Sequence, residues 1–284
     1  MKIASWNIES RLSRYKMKTK RAQPEDIVRA ISFINPDIMF FPEAFSNKLD
    51  NKVKESLDEL GYILVPVPYN HKDDGRVWGE FTNLHLLMIY KKEFKKDIRV
   101  NTIRLADFRN AIELVDKKNN LVVYGVHLDD RLEKVRIEMA KDLKRISSKR
   151  KEDILILGDY NAMHKEDWKS KVLRNSFVRK SFLALGRVIA DKERIIARTL
   201  DMALGTALEV LTKDGGFKDI DQKMRPTTTL KMRDREFLPS FRLTQIDHIL
   251  YKFNKKSIKR IDFKSYKIYQ DLGSDHRAIS INLK

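Results

Sequence analysis

The segment LILGDYNAMH, residues 155–164, places a carboxylate and a carboxamide directly after an aliphatic run. Asp159 and Asn161 are two residues apart, so both side chains can point the same way at the tip of a strand. An Asx turn that merely closes the strand uses the same residue types. The same two residue types also occur together in catalytic clusters at the ends of strands.

The same pattern recurs along the chain, where other apolar runs begin or end. The further polar residues at such positions are Asn7, Glu43, His127, Asp247, Asp275 and His276. A single residue of this kind carries little information. Their repetition predicts that acids, amides and imidazoles meet at the edge of a sheet, which is the pattern of a catalytic cluster.

These residue types suit one reaction, the metal-dependent hydrolysis of a phosphodiester. Glu43 is the first candidate ligand for a hard cation such as Mg²⁺. His276 is a candidate base for the attacking water, and a carboxylate on its other ring nitrogen would fix its tautomer. An asparagine and a second histidine can donate to phosphate oxygens. His248 alternates to the face opposite Asp247 and is expected to be structural, as is His164.

The elements that must position these residues alternate along the whole chain. Strands are predicted at the segments KIASWNI, PDIMFFPE, YILVPVPY, LHLLMIYK, LVVYGVHL, DILILGDY, TQIDHILY and AISINLK, and helices at PEDIVRAISFI, KVKESLDELGY and RLEKVRIEMAKDLKRIS. Without a linker or a repeat, this order favours one α/β (α+β) domain over residues 1–284.

Residues 163 to about 213 differ from the rest because they are almost wholly helical in pattern and strongly basic between residues 169 and 198. We expect a helical insertion over one edge of the sheets. Apolar residues such as Val172 and Phe177 would dock it, and its cations would face phosphate. A solvated cover without a role in binding is the simpler alternative.

The net charge of +18 favours a polyanionic partner, although lysines that merely solvate helices give the same balance. Nucleic acid, most simply DNA, is the expected partner, and an anionic membrane is the second possibility. The chain has no cysteine, which excludes disulfides and thiolate chemistry. No run has the length of a membrane span, and the N-terminus lacks the pattern of a signal peptide. We therefore expect a cytoplasmic monomer.

The motifs WNI, PE, VHLDD, GDYNA, QIDHIL and GSDHRAI, in this order, resemble those of the endonuclease/exonuclease/phosphatase superfamily. The resemblance extends from Asn7 to His276, and the pairing of GDYNA with a later SDH is its most specific part. It implies a four-layer αββα sandwich, in which two mixed β-sheets lie face to face between helices. It also implies metal-dependent cleavage of phosphoesters, with Mg²⁺ or Mn²⁺ as cofactor.

The resemblance assigns a role to each motif residue. It implies metal binding by Glu43, Asn7 and Asp275. It implies that Asp159 positions or activates the attacking water and that Asn161 binds phosphate. Asp247 and His276 resemble an orienting pair, and His127 resembles an imidazole that contacts phosphate or the leaving group. Arg136 matches an arginine that we interpret as structural.

The motifs depart from the family pattern at three places. Pro42 replaces a glutamine before the metal-binding glutamate, which removes one donor to that site. Tyr160 replaces a phenylalanine. YGVHL stands where the apurinic-endonuclease branch has a Tyr-x-Pro-Asn motif, which points to the histidine-containing branches instead.

The resulting expectation is a Mg²⁺- or Mn²⁺-dependent phosphodiesterase that hydrolyses nucleic acid as an endo- or exonuclease. The alternatives are a phosphatase or phosphodiesterase for phosphoinositides, phospholipids or other small phosphoesters, and a repair enzyme like the tyrosyl-DNA phosphodiesterases. Substrate contacts are expected from the basic run after Asn7 and from the insertion. The candidate residues are Arg11, Arg14, Tyr15, Arg174, Arg179 and Lys180.

Overall fold

The computed structural model describes residues 1–8, 24–44, 51–68, 85–130, 132–188, 200–228, 245–270, 272, 274 and 276–284. Within these residues, twelve strands form two six-stranded sheets, and helices lie on the outer faces. The expected four-layer sandwich is therefore confirmed.

The first sheet holds the first four strands and the last two. They are β1 (Lys2–Ser5), β2 (Ile38–Ala44), β3 (Tyr62–Pro68), β4 (His85–Lys91), β11 (Ile261–Ile268) and β12 (Ile279–Leu283), in the spatial order β11-β12-β1-β2-β4-β3. β1 and β2 are parallel, and β1 pairs with β12 in antiparallel fashion along its whole length.

The second sheet is built from the middle of the chain. Its strands are β5 (Ile98–Arg104), β6 (Asn110–Asp116), β7 (Leu121–His127), β8 (Asp153–Asp159), β9 (Lys218–Asp219) and β10 (Asp247–Lys252), in the spatial order β5-β6-β7-β8-β10-β9. β7 and β8 are parallel, and the other pairs are antiparallel.

The helices cover both outer faces. They are α1 (Pro24–Ile34), α2 (Asn51–Glu59), α3 (Glu133–Ser147), α4 (Trp168–Arg174), α5 (Ser176–Val188) and α6 (Thr206–Glu209), which continues as a π-helical turn over Val210–Asp214; short 3₁₀ helices lie at Lys92–Phe94 and Ile258–Arg260. α1 and α3 are the crossovers of the two parallel pairs, as parallel strands require. Among the described helices, none combines the length and the apolar character needed to cross a membrane.

The core between the sheets explains why the central strands are so apolar in sequence. Strands buried on both faces become nearly continuous aliphatic runs, and every residue of β7 and β8 is buried. The two sheets approach closely at Gly125, where a Cβ atom would lie 2.4 Å from the ring of Phe40 on β2. A glycine inside β7 is therefore required by the facing aromatic ring.

The segment expected to be a helical insertion divides into two parts. α4 and α5 lie at its start, while the described residues 200–214 return to the sandwich. Ala207, Leu208 and Leu211 pack in one cluster with Met139 and Leu143 of α3. The end of the segment thus contributes to the outer helical layer over the second sheet.

The predicted docking stripe of the insertion is wrong at its first two members. Val172 is 46% exposed and Phe177 is 78% exposed. α4 is held by Leu173, which packs against the cluster that contains Met163 and Ala203, and by the Ser170 hydroxyl, which donates to the Ala203 carbonyl; on α5, Arg179 binds Asp201. Periodicity in sequence could not reveal this, because polar anchors to a distant segment leave no helical pattern.

Candidate active site

The parallel pairs β1–β2 and β7–β8 end at the same edge of the sandwich, which we call the rim. Asn7 connects the two sheets there. Asn7 follows β1 and is fully buried. Its Nδ2 donates to Oε1 of Glu43 at 3.2 Å and to Oδ2 of Asp159 at 3.1 Å. Glu43 belongs to β2 of the first sheet and Asp159 ends β8 of the second. Three residues that are distant in sequence therefore meet between the sheets.

Glu43 sits on a distorted part of β2. Its φ of 54° is in the left-handed region, which is uncommon for a residue other than glycine. The pairing of β2 with β4 shifts register between Phe41 and Ala44, around this residue. Pro42 donates no N–H to the ladder, so the irregularity falls where the sequence already interrupts it. The distortion leaves the Glu43 side chain 30% exposed beside buried neighbours.

His127 and Asp159 stand side by side, because they are paired in the register of β7 and β8. Nε2 of His127 lies 3.5 Å from Oε1 of Glu43 and 3.7 Å from Oδ2 of Asp159. Burial lowers the pKa of His127, and the charge of Arg109 lowers it further, which favours the neutral imidazole. Burial raises the pKa of the Asp159 carboxyl, and the Asp247 carboxylate adds to this.

His276 and Asp247 form the second half of the site. Nδ1 of His276 lies 2.9 Å and 3.2 Å from the two carboxylate oxygens of Asp247, which is 1% exposed. Because the carboxylate accepts the Nδ1 proton, the neutral ring presents a lone pair at Nε2. This nitrogen lies 3.7 Å from Oδ2 of Asp159, beyond hydrogen-bond reach. Asp247 is also the cross-strand partner of Asp159.

The segment before β12 is fixed to the same rim by contacts with the end of β1. The Trp6 indole N–H donates to the His276 carbonyl at 3.1 Å. The Ser274 hydroxyl donates to the Asn7 carbonyl at 2.7 Å and accepts the His276 N–H. Trp6 and Ser274 position the histidine, and their roles were not predicted. Asp275, which was expected to be a metal ligand, lies outside the described residues.

The turn after β8 explains the GDYNA motif. Gly158 has a φ of 144°, and a Cβ atom there would lie 1.9 Å from the Val126 carbonyl oxygen. Asn161 has a φ of 48°, its N–H donates to Oδ1 of Asp159 at 2.8 Å, and its Nδ2 donates to the Leu128 carbonyl at 3.1 Å. The Asx turn and the functional cluster are therefore the same feature. Tyr160 points inward and donates to the Ile156 carbonyl.

A second cluster of ionisable residues lies behind the site. His248 Nδ1 is 2.6 Å and His164 Nε2 is 3.0 Å from Oδ2 of Asp219. His248 Nε2 faces the Ala162 carbonyl at 3.0 Å. Both ring nitrogens of His248 face oxygen acceptors, so the ring is held as an imidazolium.

The pKa values of this second cluster agree with its geometry. Although burial favours the neutral ring, the Asp219 carboxylate and the hydrogen bonds raise the pKa of His248. Burial likewise opposes the charge of Asp219, yet the two histidines lower the pKa of this carboxyl to about 2. The pair ties β9 and β10 to the turn that carries Asn161, a role that the single histidines did not reveal in sequence.

The residues expected to contact the substrate differ in how the structure places them. Arg11, Arg14 and Tyr15 lie outside the described residues. In the insertion, Lys180 is exposed, whereas two arginines contact the protein itself. Arg174 donates to the Lys165 carbonyl at 2.7 Å, and Arg179 donates to the Leu200 carbonyl at 3.2 Å. Their guanidinium groups therefore help to hold the insertion in place.

Two further arginines beside the site have structural partners. Arg136 is fully buried and binds Glu133 and the Asp129 carbonyl, which agrees with the structural role expected for it. Arg109 forms an ion pair with Asp129 at 2.9 Å. This ion pair joins the turn between β5 and β6 to the segment that follows His127. It was not predicted, because its partners are twenty residues apart and show no common pattern.

The donor set fits a divalent cation. Oxygen and nitrogen atoms of Glu43, Asp159 and His127 lie within 4.8 Å of one another, and those of Asp159, Asp247 and His276 form an overlapping group. Carboxylates in so small a buried volume repel one another unless a cation or protons neutralise them. Glu43, with Asn7 beside it, is suited to hold such an ion.

Comparison with known proteins agrees with this geometry. The sequence model of the Endonuclease/Exonuclease/phosphatase family matches residues 4–276. Among curated protein sequences, none matches the chain significantly.

Several solved structures share the fold. A 3′ phosphatase, NExo, from Neisseria bound to product DNA hairpin has a TM-score of 0.59 and 14% identity, with 100% of this chain and 99% of that chain covered. Truncated TDP2 from Caenorhabditis elegans has a TM-score of 0.58 and 14% identity, with 99% and 96% covered. A mannosyl-6-phosphatase from Bacteroides thetaiotaomicron has a TM-score of 0.56 and 15% identity, with 100% and 99% covered. At these identities the likeness establishes the fold.

Proposed function

Because the chain belongs to the Endonuclease/Exonuclease/phosphatase family, whose members are metal-dependent phosphoester hydrolases, we propose that it is a Mg²⁺- or Mn²⁺-dependent nuclease that cleaves phosphodiester bonds in DNA. The observation that carries this proposal is the convergence of Asn7, Glu43, Asp159 and the His276–Asp247 pair on one rim. The net charge of +18 supports a polyanionic substrate.

Glu43 and Asn7 would hold the cation, and the family motif implies Asp275 as a further ligand. When bound, the cation would polarise a phosphoryl oxygen and neutralise charge that develops on the phosphate. Each remaining role belongs to a side chain of the protein. Burial favours the neutral form of His127, and the ring N–H that this form keeps can donate a hydrogen bond to a phosphate or leaving-group oxygen.

The attacking water is assigned to a position beside Asp159 and His276. Asp159 Oδ2 and His276 Nε2 are 3.7 Å apart, so one water next to them can hydrogen-bond to both. His276 takes the proton of this water through Nε2. Asp247 keeps the ring in that tautomer and stabilises the imidazolium that forms. The Asn161 amide, fixed by its turn, binds the phosphate on the other side.

A substrate panel tests the proposal most directly. It contains plasmid, duplex and single-stranded DNA, abasic duplex, RNA, 5′-tyrosyl DNA and inositol phosphates, each with Mg²⁺, with Mn²⁺ and with EDTA. We expect metal-dependent cleavage of unmodified DNA and a loss of several orders of magnitude in the His276→Ala and Asp159→Asn variants. Equal activity of these variants and the wild type would contradict the proposed site.

Hydrolysis of a small phosphoester is the second candidate function. It is favoured by the mannosyl-6-phosphatase, which has the same fold at a TM-score close to that of NExo. Salt separates the two functions. Each phosphate contact on duplex DNA gives a slope of about −0.9 in log affinity against log salt. Activity that is confined to small substrates and insensitive to salt would replace the nuclease proposal with this one.

A further inference from the structure

The tight turn between β5 and β6 contains a residue that fits its backbone poorly. Arg109 N–H donates to the Ala106 carbonyl at 3.3 Å, and the central residues Asp107 and Phe108 have φ values of 53° and 59°. Two left-handed central residues make this a type I′ turn, which favours Asn or Asp followed by Gly. Asp107 suits its position. Phe108 occupies the glycine position, where a bulky side chain is strained.

This turn lies at the catalytic rim. β6 is antiparallel to β7, with Ile112 opposite Gly125. Two residues further along the same register, Asn110 reaches the level of His127. The tip of the hairpin, with Phe108, therefore projects beside the strand end that carries the catalytic imidazole.

Both sides of the turn are clamped to their surroundings. The ion pair of Arg109 with Asp129 fixes it to the segment after His127. Nδ2 of Asn110 donates to the Pro68 carbonyl at 2.7 Å, which fixes it to the end of β3 in the first sheet. A strained residue persists when its surroundings determine its conformation in this way, and such residues cluster at ligand-binding positions.

We infer that Phe108 is a stacking platform for a nucleobase next to the scissile phosphodiester, an inference that rests on the proposed nuclease function. Its side chain is 41% exposed, although it is a large aromatic residue on a rigid turn. Asp107 and Arg109 flank it in sequence, so the exposed ring lies on a turn between two charged residues. A nucleobase matches this surface, because it is a flat ring attached to a charged phosphate.

Two matched substrates separate the contribution of the nucleobase to binding from that of the phosphates. We would compare a short single-stranded oligothymidylate with an abasic-spacer oligomer of the same length and phosphate count, at saturating metal. Stacking on one base contributes roughly ten-fold or more in affinity. The wild type should therefore cleave the thymidine strand with a KM about ten-fold below that for the spacer strand. Phe108→Ala should lose this difference by raising only the KM for thymidine, and Phe108→Tyr should retain it.

Two further variants separate stacking from folding. Phe108→Gly removes the ring as Phe108→Ala does, but it relieves the left-handed strain, so its Tm should lie about 2 °C above that of Phe108→Ala. Both variants should nevertheless lose the base preference equally. Phe33→Ala removes a ring that is 69% exposed near the C-terminal end of α1, where it packs against Tyr269 on the outer face of the first sheet, and should change neither KM.

Each outcome decides the inference. An unchanged base preference in Phe108→Ala, or a wild type without such a preference, overturns the stacking role while cleavage of DNA still supports the proposed function. A KM that follows Tm across the variants, with Phe108→Gly closer to the wild type, also overturns it. If the wild type cleaves neither strand, the proposed function fails and this inference fails with it.

Discussion

Replacing Asp247 with asparagine tests whether this buried carboxylate makes His276 the base of the proposed reaction. The carboxylate is 1% exposed and accepts the Nδ1–H of His276 at 2.9 Å. Asparagine has almost the same volume, so the packing is preserved. The variant nevertheless loses the charge that stabilises the imidazolium. If its amide nitrogen faces the ring, it also reverses the tautomer, and Nε2 can then no longer accept a proton.

The magnitude follows from these two losses. Replacing a charge-assisted hydrogen bond by a neutral one costs about 1–2 kcal/mol. Loss of the general base costs about 10²–10⁴ in rate. We therefore expect kcat to fall about 10³-fold, which corresponds to about 4 kcal/mol in the activation barrier. KM should change little, because Asp247 is buried beneath His276 and is not positioned to contact the substrate.

Asp219→Asn is the matched control for this experiment. Asp219 is also buried and also accepts a histidine Nδ1–H, at 2.6 Å from His248, but it lies behind the site. Its asparagine variant should lower Tm and leave kcat unchanged. The assay is the initial rate of DNA cleavage at saturating metal, with Tm measured on the same samples. If Asp247→Asn keeps kcat within ten-fold of the wild type, His276 is not the base that we describe.

Three further predictions concern the metal, the second cluster and the insertion. EDTA should abolish cleavage, and excess Mg²⁺ or Mn²⁺ should restore it; turnover that persists after exhaustive chelation would contradict a metal-dependent site. The His248–Asp219 pair should contribute most to stability from about pH 4 to 6.5. Its contribution falls above that range as His248, whose pKa is raised from 6.5, loses its proton, and below it as Asp219, whose pKa is about 2, gains one. The Tm of the wild type should therefore decrease more between pH 6 and pH 9 than that of His248→Gln, and parallel curves would show that the pair is not charged. Lys180→Glu should raise KM for long DNA and flatten its salt dependence at constant kcat. Lys180 is the residue to change because it is exposed, whereas Arg174 and Arg179 hold the insertion in place. An unchanged salt slope would show that the insertion only covers the sheets and does not bind DNA.

The sequence was most informative where strands are buried on both faces. β7 and β8 became continuous apolar runs for this reason and were predicted, as was the cluster at their ends. β5, β6, β9 and β11 were not identified. β5 and β11 are edge strands with alternating exposure, so their segments IRVNTIR and IDFKSYKI lack an apolar run. β9 has only two residues, and the buried strand β6 has the segment NAIELVD, in which Glu113 interrupts the apolar run and binds Arg150. Partners that belong to separate segments were also missed, because a contact such as that between His248 and Asp219 depends on register and not on spacing.

The pairing of β1 with β12 has a consequence for biosynthesis. Of the described strands, β1 is made first and β12 last, although the two are neighbours in the finished sheet, where β1 lies between β2 and β12. During synthesis, the backbone groups on one edge of β1 therefore stay without their strand partner until residues 279–283 leave the ribosome. His276 is translated just before them, and its carbonyl is anchored by Trp6 from the start of the chain. The proposed base is therefore translated after eleven of the twelve described strands, and under the proposed function the nascent chain stays inactive until β12 pairs with β1.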